Sequence, residues 1–302
     1  MSGQQAEPQE QAPQSFRLDN NRLGALRWGR SDAPVWLALH GWLDNAASYS
    51  RLAPLLVKAL DIQLVAIEFS GHGHSLWRPG GRYFLWDYVE DALAAMNALE
   101  LPAPPVVIGH SLGAAVAVQL AGALPERVER LVLLDGMRMK SSPATDYPNR
   151  LKKALVTRQR DGRLRRPYRT LEQALWARVA GAITPVDEAT IGPVVERSLR
   201  TEGEGLVLRS DSAVSRPTPA TLGEGQWQAL MQAIRGRVDI IAASQGILDE
   251  ESRHFAKAFR DHHWHDIEGG HHVHLEPARV AEVARLIQGL EGITLGPQAG
   301  RT

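Results

Sequence analysis

Val106-Val107-Ile108-Gly109-His110-Ser111-Leu112-Gly113-Ala114-Ala115 passes from an apolar triplet, through Gly-His-Ser-Leu-Gly, into an alanine-rich segment. An apolar run followed at once by helix formers predicts a strand that turns directly into a helix. Such a turn forces strained backbone angles on the serine and requires small neighbours for the chain to pass, a demand that Gly109, Gly113 and Ala114 meet. The strain would lift the Ser111 hydroxyl above the strand end. The Leu112 amide, at the helix start, would then face the position of a developing oxyanion. Gly-x-Ser-x-Gly is common as a bare pentapeptide, and its meaning here comes from the strand before it and the helix after it. Ser111 is the expected nucleophile.

Working outward, the same alternation repeats on both sides. Val35–Leu39, Leu64–Phe69 and Leu131–Leu134 are continuous apolar runs, as expected of strands buried on both faces. Helical spacing separates them over Ser48–Leu60, Leu85–Leu99 and Leu112–Ala123. Buried strands alternating with helices imply right-handed crossovers and a mostly parallel sheet, with chemistry in the loops at the strand C-terminal ends. Ser15–Asp19 and Leu23–Trp28, joined through Asn20-Asn21, read as an opening hairpin.

From about Met137 to Gln228 the strand signal stops, and helical stretches take over at Arg150–Arg158, Thr170–Ala182 and Pro185–Leu199. Strands resume at Val238–Ala243 and His263–Ile267, before a last helix over Pro277–Leu290. The expected organisation is therefore an α/β core over residues 15–136 and 229–291 with a helical cap inserted at 137–228. Residues 1–14 read as a disordered tail and 292–302 as a flexible one.

A serine hydroxyl needs a base near neutral pH, and a histidine oriented by a carboxylate is the common solution. In a fold of this kind both partners follow the serine in the chain. His271, His272 and His274 compete for the base in Gly269-Gly270-His271-His272-Val273-His274-Leu275-Glu276-Pro277. Asp249, Asp135, Glu250 and Glu251 compete for the acid. The backbone amide of Trp42, after His40-Gly41, is the expected second oxyanion donor beside Leu112. Trp42, His110 and Trp176 are candidate substrate contacts, and Trp77 and Trp86 could also line a pocket. The reading that the histidines, with His262, His263 and His265, bind a metal lacks a completing carboxylate or cysteine pattern. No metal and no cofactor are expected.

Composition narrows the partners. The 302 residues carry 34 Lys plus Arg and 34 Asp plus Glu, so no global field draws the chain to nucleic acid or to an anionic membrane. A small-molecule substrate is the better fit. The absence of cysteine excludes disulfides and a thiol nucleophile and suits a reducing compartment. No apolar run approaches a bilayer span, and the N-terminal stretch lacks the marks of a signal peptide, so a cytoplasmic location is expected. One basic run, from Arg150 to Arg169, stands out in the neutral chain as a solvated face or a site for an anionic substrate.

Three stretches carry a resemblance. His40-Gly41-Trp42-Leu43-Asp44-Asn45, Gly71-His72-Gly73-His74-Ser75 and Gly269-Gly270-His271-His272-Val273-His274-Leu275 resemble motifs of the serine hydrolase-like proteins, a branch of the α/β-hydrolase superfamily. Glu68 departs from the Asp usual in relatives and is read as tolerated. The resemblance implies the α/β-hydrolase fold and acyl transfer from an ester-like bond, carboxylester or thioester, to water. Its register implies His271 as base with His274 in support, and a Gly-x-x-Asp segment at Gly246–Asp249 implies Asp249 as acid, with Asp135 the alternative. A carbon–carbon bond hydrolase, a perhydrolase or a non-catalytic binding member would share these motifs.

Overall fold

The computed structural model describes residues 12–159 and 167–293. The N-terminal tail up to residue 11, the end of the C-terminal tail, and Arg160, Arg163, Arg165 and Arg166 of the basic run lie outside the described residues.

Eight strands form one sheet. In chain order they are β1 (Gln14–Leu18), β2 (Leu23–Trp28), β3 (Val35–Leu39), β4 (Gln63–Ile67), β5 (Val106–His110), β6 (Arg130–Leu134), β9 (Arg237–Gln245) and β10 (His262–Gly270). The order across the sheet is β1-β2-β4-β3-β5-β6-β9-β10. Only the hairpin β1-β2 and its junction with β4 are antiparallel, and the remaining ladders are parallel. Side chains of a strand alternate between faces, so each strand supplies two cores. Leu37, Leu39, Leu131 and Leu133 join one buried cluster, while Trp36, Ala38, Val132 and Leu134 join the other.

Helices cover both faces. Helix α1 (Leu52–Leu60) and helix α9 (Val280–Gln288) pack together on one side, burying Leu52, Leu56, Val283 and Ile287. On the other side α2 (Leu85–Ala98) and α3 (Leu112–Ala123) bury Ala92, Ala95, Val116 and Leu120. Helix α3 is apolar all round because it lies between the sheet, α2 and α7 (Glu224–Ala233). Trp227 and Met231 of α7 are fully buried against it.

Between β6 and α7 lie α4 (Tyr147–Gln159), α5 (Leu171–Ala180), α6 (Glu188–Ser198) and a two-stranded hairpin, β7 (Leu199–Glu202) with β8 (Gly205–Leu208). The segment also contains strands, where helices alone are expected: a four-residue pair turning at Gly203, where φ is 58°, is too short to show in a hydrophobic pattern. Helix α7 starts at Glu224 and packs on α3. A small apolar core of Ala174, Ile191, Val194, Val195 and Leu199 holds α5 and α6 together, and Leu275 from the loop after β10 completes it. Helix α8 (Glu250–Phe255) follows β9.

Candidate active site

Strand β5 ends at His110 and α3 begins at Leu112, leaving Ser111 alone at the bend with φ 52° and ψ −112°. Angles of this kind cost a non-glycine residue about 1–3 kcal/mol and persist only where neighbours enforce them. Those neighbours are visible. A side-chain carbon on Gly113 would fall 2.1 Å from the Leu39 carbonyl oxygen, and one on Gly109 would fall 2.7 Å from Ala114 Cα. The Ser111 amide donates to the Leu134 carbonyl at 3.1 Å, which ties the bend to the end of β6. Leu112, as the first residue of α3, has an amide without a partner inside the helix.

The chain beyond β6 places a carboxylate beside the histidine loop. Asp135, with φ 41°, is fully buried, and the following Gly136 lies so close to Ser111 that a Cβ there would meet its Cα at 2.7 Å. The Asp135 carboxylate accepts from the Ile247 amide at 2.9 Å and the Ala243 amide at 3.3 Å, and its Oδ2 lies 2.6 Å from His271 Nδ1. Gly246 makes room for it, since a Cβ there would sit 2.2 Å from both carboxylate oxygens.

Asp249 is placed elsewhere. It caps the N-terminus of α8, accepting from the Ser252 amide and hydroxyl at 2.8 Å each, and those bonds hold its carboxyl below the usual carboxylate range. Of the two candidate acids it is therefore Asp135, the alternative, and not Asp249 that the structure brings to His271. Gly-x-x-Asp marks the loop by its glycine, which accommodates the carboxylate of residue 135, while its aspartate serves the next helix. Glu250 is exposed, and Glu251 pairs with Arg138 and Lys140.

The three competing histidines divide. His271 meets Asp135, whereas His272 Nε2 lies 3.2 Å from Asp44 Oδ2 and His274 Nε2 lies 2.9 Å from Ser48 Oγ. His110, a candidate substrate contact from the sequence, is buried under this loop. Its ring centroid stands 4.6, 4.9 and 4.3 Å from those of His271, His272 and His274, and its Nε2 donates to the His271 carbonyl at 3.0 Å. It packs beneath the loop and is 1% exposed. Burial, with the His271 and His272 rings beside it, pushes His110 down to about 4 despite Asp44. Burial also holds His274 well below its ordinary value.

The loop after β3 is clamped by His40. Because its Nε2 accepts from the Phe69 amide at 3.1 Å, its Nδ1 carries the proton and donates to the Gly41 carbonyl at 2.7 Å. Burial, then the neighbouring His72, pushes His40 down to about 3, so this neutral clamp is kept. Gly41 is required by crowding: a Cβ would meet His110 Nδ1 at 2.8 Å. The Trp42 indole donates to the Val214 carbonyl at 3.0 Å, and Trp42 is about one-third exposed. Trp176 is exposed on α5, Trp77 donates to the Arg209 carbonyl at 2.8 Å, and Trp86 stacks on Phe84.

Two buried carboxylates that sequence reading left without a role connect the inserted segment to this end of the sheet. Burial opposes charge on Asp44, yet His272, His110 and Arg178 outweigh it and hold its carboxyl well below the usual range. Arg178 of α5 reaches Asp44 Oδ1 at 3.0 Å. Glu68 is fully buried and is met by Arg197 of α6 at 2.7 Å and by the His74 amide at 2.8 Å. The glutamate is thus paired across the interface. Asn45 adds bonds to the Val194 carbonyl and Ser198 hydroxyl, and Arg51 donates to the carbonyls of Ala189, Thr190 and Leu275. Charged partners so far apart in sequence leave no local signal. Among the described residues no helix is long and apolar enough to cross a membrane.

Comparison with known proteins agrees with this architecture. Residues 34–278 match the model of the α/β hydrolase fold family. A serine hydrolase-like protein of Danio rerio is 30% identical over 278 residues, covering 86% of this chain and 84% of the relative. An esterase of Mycobacterium tuberculosis is 35% identical over 123 residues, covering 41% of this chain and 39% of the relative. The crystal structure of a hypothetical protein from Pseudomonas aeruginosa superposes with a TM-score of 0.82 at 35% identity, covering 91% of this chain and 98% of that one. With most of its length matched in this way, the chain belongs to the α/β-hydrolase fold family, among the serine hydrolase-like proteins.

Proposed function

We propose that the chain is a serine hydrolase that cleaves ester-like bonds of a small molecule through an acyl-enzyme, with Ser111 as nucleophile, His271 as base and Asp135 as the orienting acid. One observation carries the reading: the 2.6 Å contact between His271 Nδ1 and Asp135 Oδ2, beside a serine held at φ 52° in the strand-to-helix bend.

A carboxylate at Nδ1 holds the imidazole with its proton on that nitrogen and leaves the Nε2 lone pair for the serine proton. Ser111 attacks the carbonyl carbon as His271 takes its proton. The oxyanion is received by the amides of Leu112 and Trp42, and the imidazolium then protonates the leaving group. Water repeats the sequence on the acyl-enzyme, with His271 again the base. The Ile247 and Ala243 amides fix the Asp135 carboxylate against His271, where its charge stabilises the transient imidazolium. The inserted segment acts as a cap, a role supported by the bonds that Arg178, Arg197 and the Val214 carbonyl make with the loops after β3 and β4.

The test is active-site labelling. A fluorophosphonate probe should label the wild-type protein and fail on Ser111→Ala, and a series of p-nitrophenyl esters of increasing chain length should then rank acyl groups. A correctly folded wild type that neither labels nor turns over any ester would overturn the reading in favour of a binding member of the fold.

A further inference from the structure

Behind the proposed triad lies a buried group of donors that the reaction does not use. Asp44, His110 and His272 each offer one ligand atom, and these atoms all lie within 4.8 Å of one another. Their side chains are 1%, 1% and 7% exposed.

Hydrogen-bond bookkeeping exposes a mismatch in this group. The His271 carbonyl can only accept, so His110 must carry its proton on Nε2 to make the 3.0 Å bond. The neutral ring then has its lone pair on Nδ1, a buried atom with no hydrogen-bond partner that stands 3.5 Å from Asp44 Oδ2. Two acceptors face each other among buried groups, an arrangement that a cation between them would satisfy.

Two of the three spacings suit a metal ion, and the third, between the two imidazole nitrogens, is no more than 4.8 Å. Two bonds of about 2.1 Å at the tetrahedral angle put donor atoms about 3.4 Å apart. Here Asp44 Oδ2 is 3.5 Å from His110 Nδ1 and 3.2 Å from His272 Nε2. His272 can vacate Nε2 by moving its proton to its own Nδ1, which is buried and unpartnered.

We propose that Asp44, His110 and His272 form a binding site for a transition-series divalent cation of the Zn²⁺ type, with a water as fourth ligand. Two imidazoles and one carboxylate favour Zn²⁺, Co²⁺ or Ni²⁺ over Mg²⁺ and Ca²⁺, which prefer all-oxygen shells. This departs from the expectation of no metal, because the completing carboxylate lies about 230 residues upstream of the histidine loop, where spacing gives no hint of it. Arg178 is the gate. It occupies the other oxygen of Asp44 at 3.0 Å, is 21% exposed where Asp44 is 1%, and competes electrostatically with the ion.

Zn²⁺ titration followed by calorimetry, with Mg²⁺ as control, and Co²⁺ absorption test the site in the full chain. One Zn²⁺ should bind, Co²⁺ should give the intense visible bands of four-coordination, and Asp44→Asn and His272→Gln should each weaken binding by more than about tenfold, the loss that even an outer partner's removal brings. Arg178→Gln should bind more tightly than wild type, an effect that a purely structural role for the cluster would not produce. Absence of binding to wild type, a six-coordinate Co²⁺ spectrum, undiminished binding in the folded Asp44 and His272 variants, or no tightening in Arg178→Gln would each overturn the site. The Co²⁺ spectrum of wild type decides the matter if a variant fails to fold. Occupancy would pin the chain neighbours of Ser111 and His271, so Zn²⁺ should also slow ester turnover. That last arm alone rests on the hydrolase reading, and the binding measurements stand without it.

Discussion

Asparagine at position 135 tests the proposed acid most sharply, because the surroundings of that carboxylate dictate how the amide must sit. Three contacts converge on the native side chain: His271 Nδ1 at 2.6 Å and the Ile247 amide at 2.9 Å on Oδ2, and the Ala243 amide at 3.3 Å on Oδ1. All are compatible with acceptor oxygens only. In Asp135→Asn one position becomes an NH2 donor. If the amide nitrogen takes the Oδ1 position, it opposes the Ala243 N–H, and the oxygen left near His271 carries no charge to stabilise an imidazolium. If it takes the Oδ2 position, it opposes Ile247 and donates to His271 Nδ1, which moves the imidazole proton to Nε2 and removes the lone pair Ser111 needs. Either outcome removes what the acid supplies, and loss of that function in a serine triad typically lowers turnover by about 10⁴-fold, or roughly 5.5 kcal/mol of barrier.

The paired control is Asp249→Asn. The Asp249 side chain accepts from the Ser252 amide and hydroxyl, and asparagine is about as good an N-cap as aspartate, so its turnover should stay within about twofold of wild type. Hydrolysis of a short p-nitrophenyl ester gives both rates, and circular dichroism with a thermal melt confirms that each variant is folded. The reasoning fails if folded Asp135→Asn keeps more than about a tenth of wild-type turnover, or if Asp249→Asn is the variant that dies.

Gly246→Ala puts a methyl 2.2 Å from both Asp135 oxygens and should push the carboxylate off His271, lowering turnover by at least about 10²-fold; a crystal structure showing Asp135 in place with activity intact would disprove this. Arg197→Met leaves Glu68 buried without its cation and should cost about 3–5 kcal/mol in urea denaturation, with part of the loss recovered in the double variant that also carries Glu68→Gln; a loss under about 1 kcal/mol would mean the pair is not buried as described. Acid should destabilise the fold early. His40 and His110, held down to about 3 and 4, and His274, held well below its ordinary value, stay neutral when folded, whereas each takes up a proton near pH 6.5 when unfolded. The unfolded state therefore binds more protons as pH falls below about 6.5, and near pH 5 three such groups make stability fall by about 4 kcal/mol per pH unit. Urea midpoints between pH 7 and 5 that shift by less than one proton's worth would contradict this burial.

How much of the site could be read from the chain depends on whether its physical cause was local. Ser111 was legible because the demand for small residues around a strained bend is written within five positions of it. The parallel strands were legible because burial on both faces makes continuous apolar runs, as in Val35–Leu39 and Leu131–Leu134. The carboxylate that meets His271 was not, since Asp135 and Asp249 each follow an apolar strand and differ only in what the fold brings to them. What separates them is Gly246, whose missing side chain makes the space for a carboxylate 111 residues upstream. The same distance effect hides Asp44 and Glu68, whose partners Arg178 and Arg197 lie in the inserted segment. Both ion pairs join that segment to loops at the same strand ends, and Leu275 fills its small core from the histidine loop. The inserted segment, the loop after β3 and the loop carrying His271 are thus packed as one unit. A change to the apolar core of α5 and α6, such as Ile191→Ala, would on this argument loosen Leu275 and with it the histidine, altering turnover from a residue that touches no reacting atom. Normal turnover in a folded Ile191→Ala protein would show that the histidine loop is held by the sheet and by Asp135 alone.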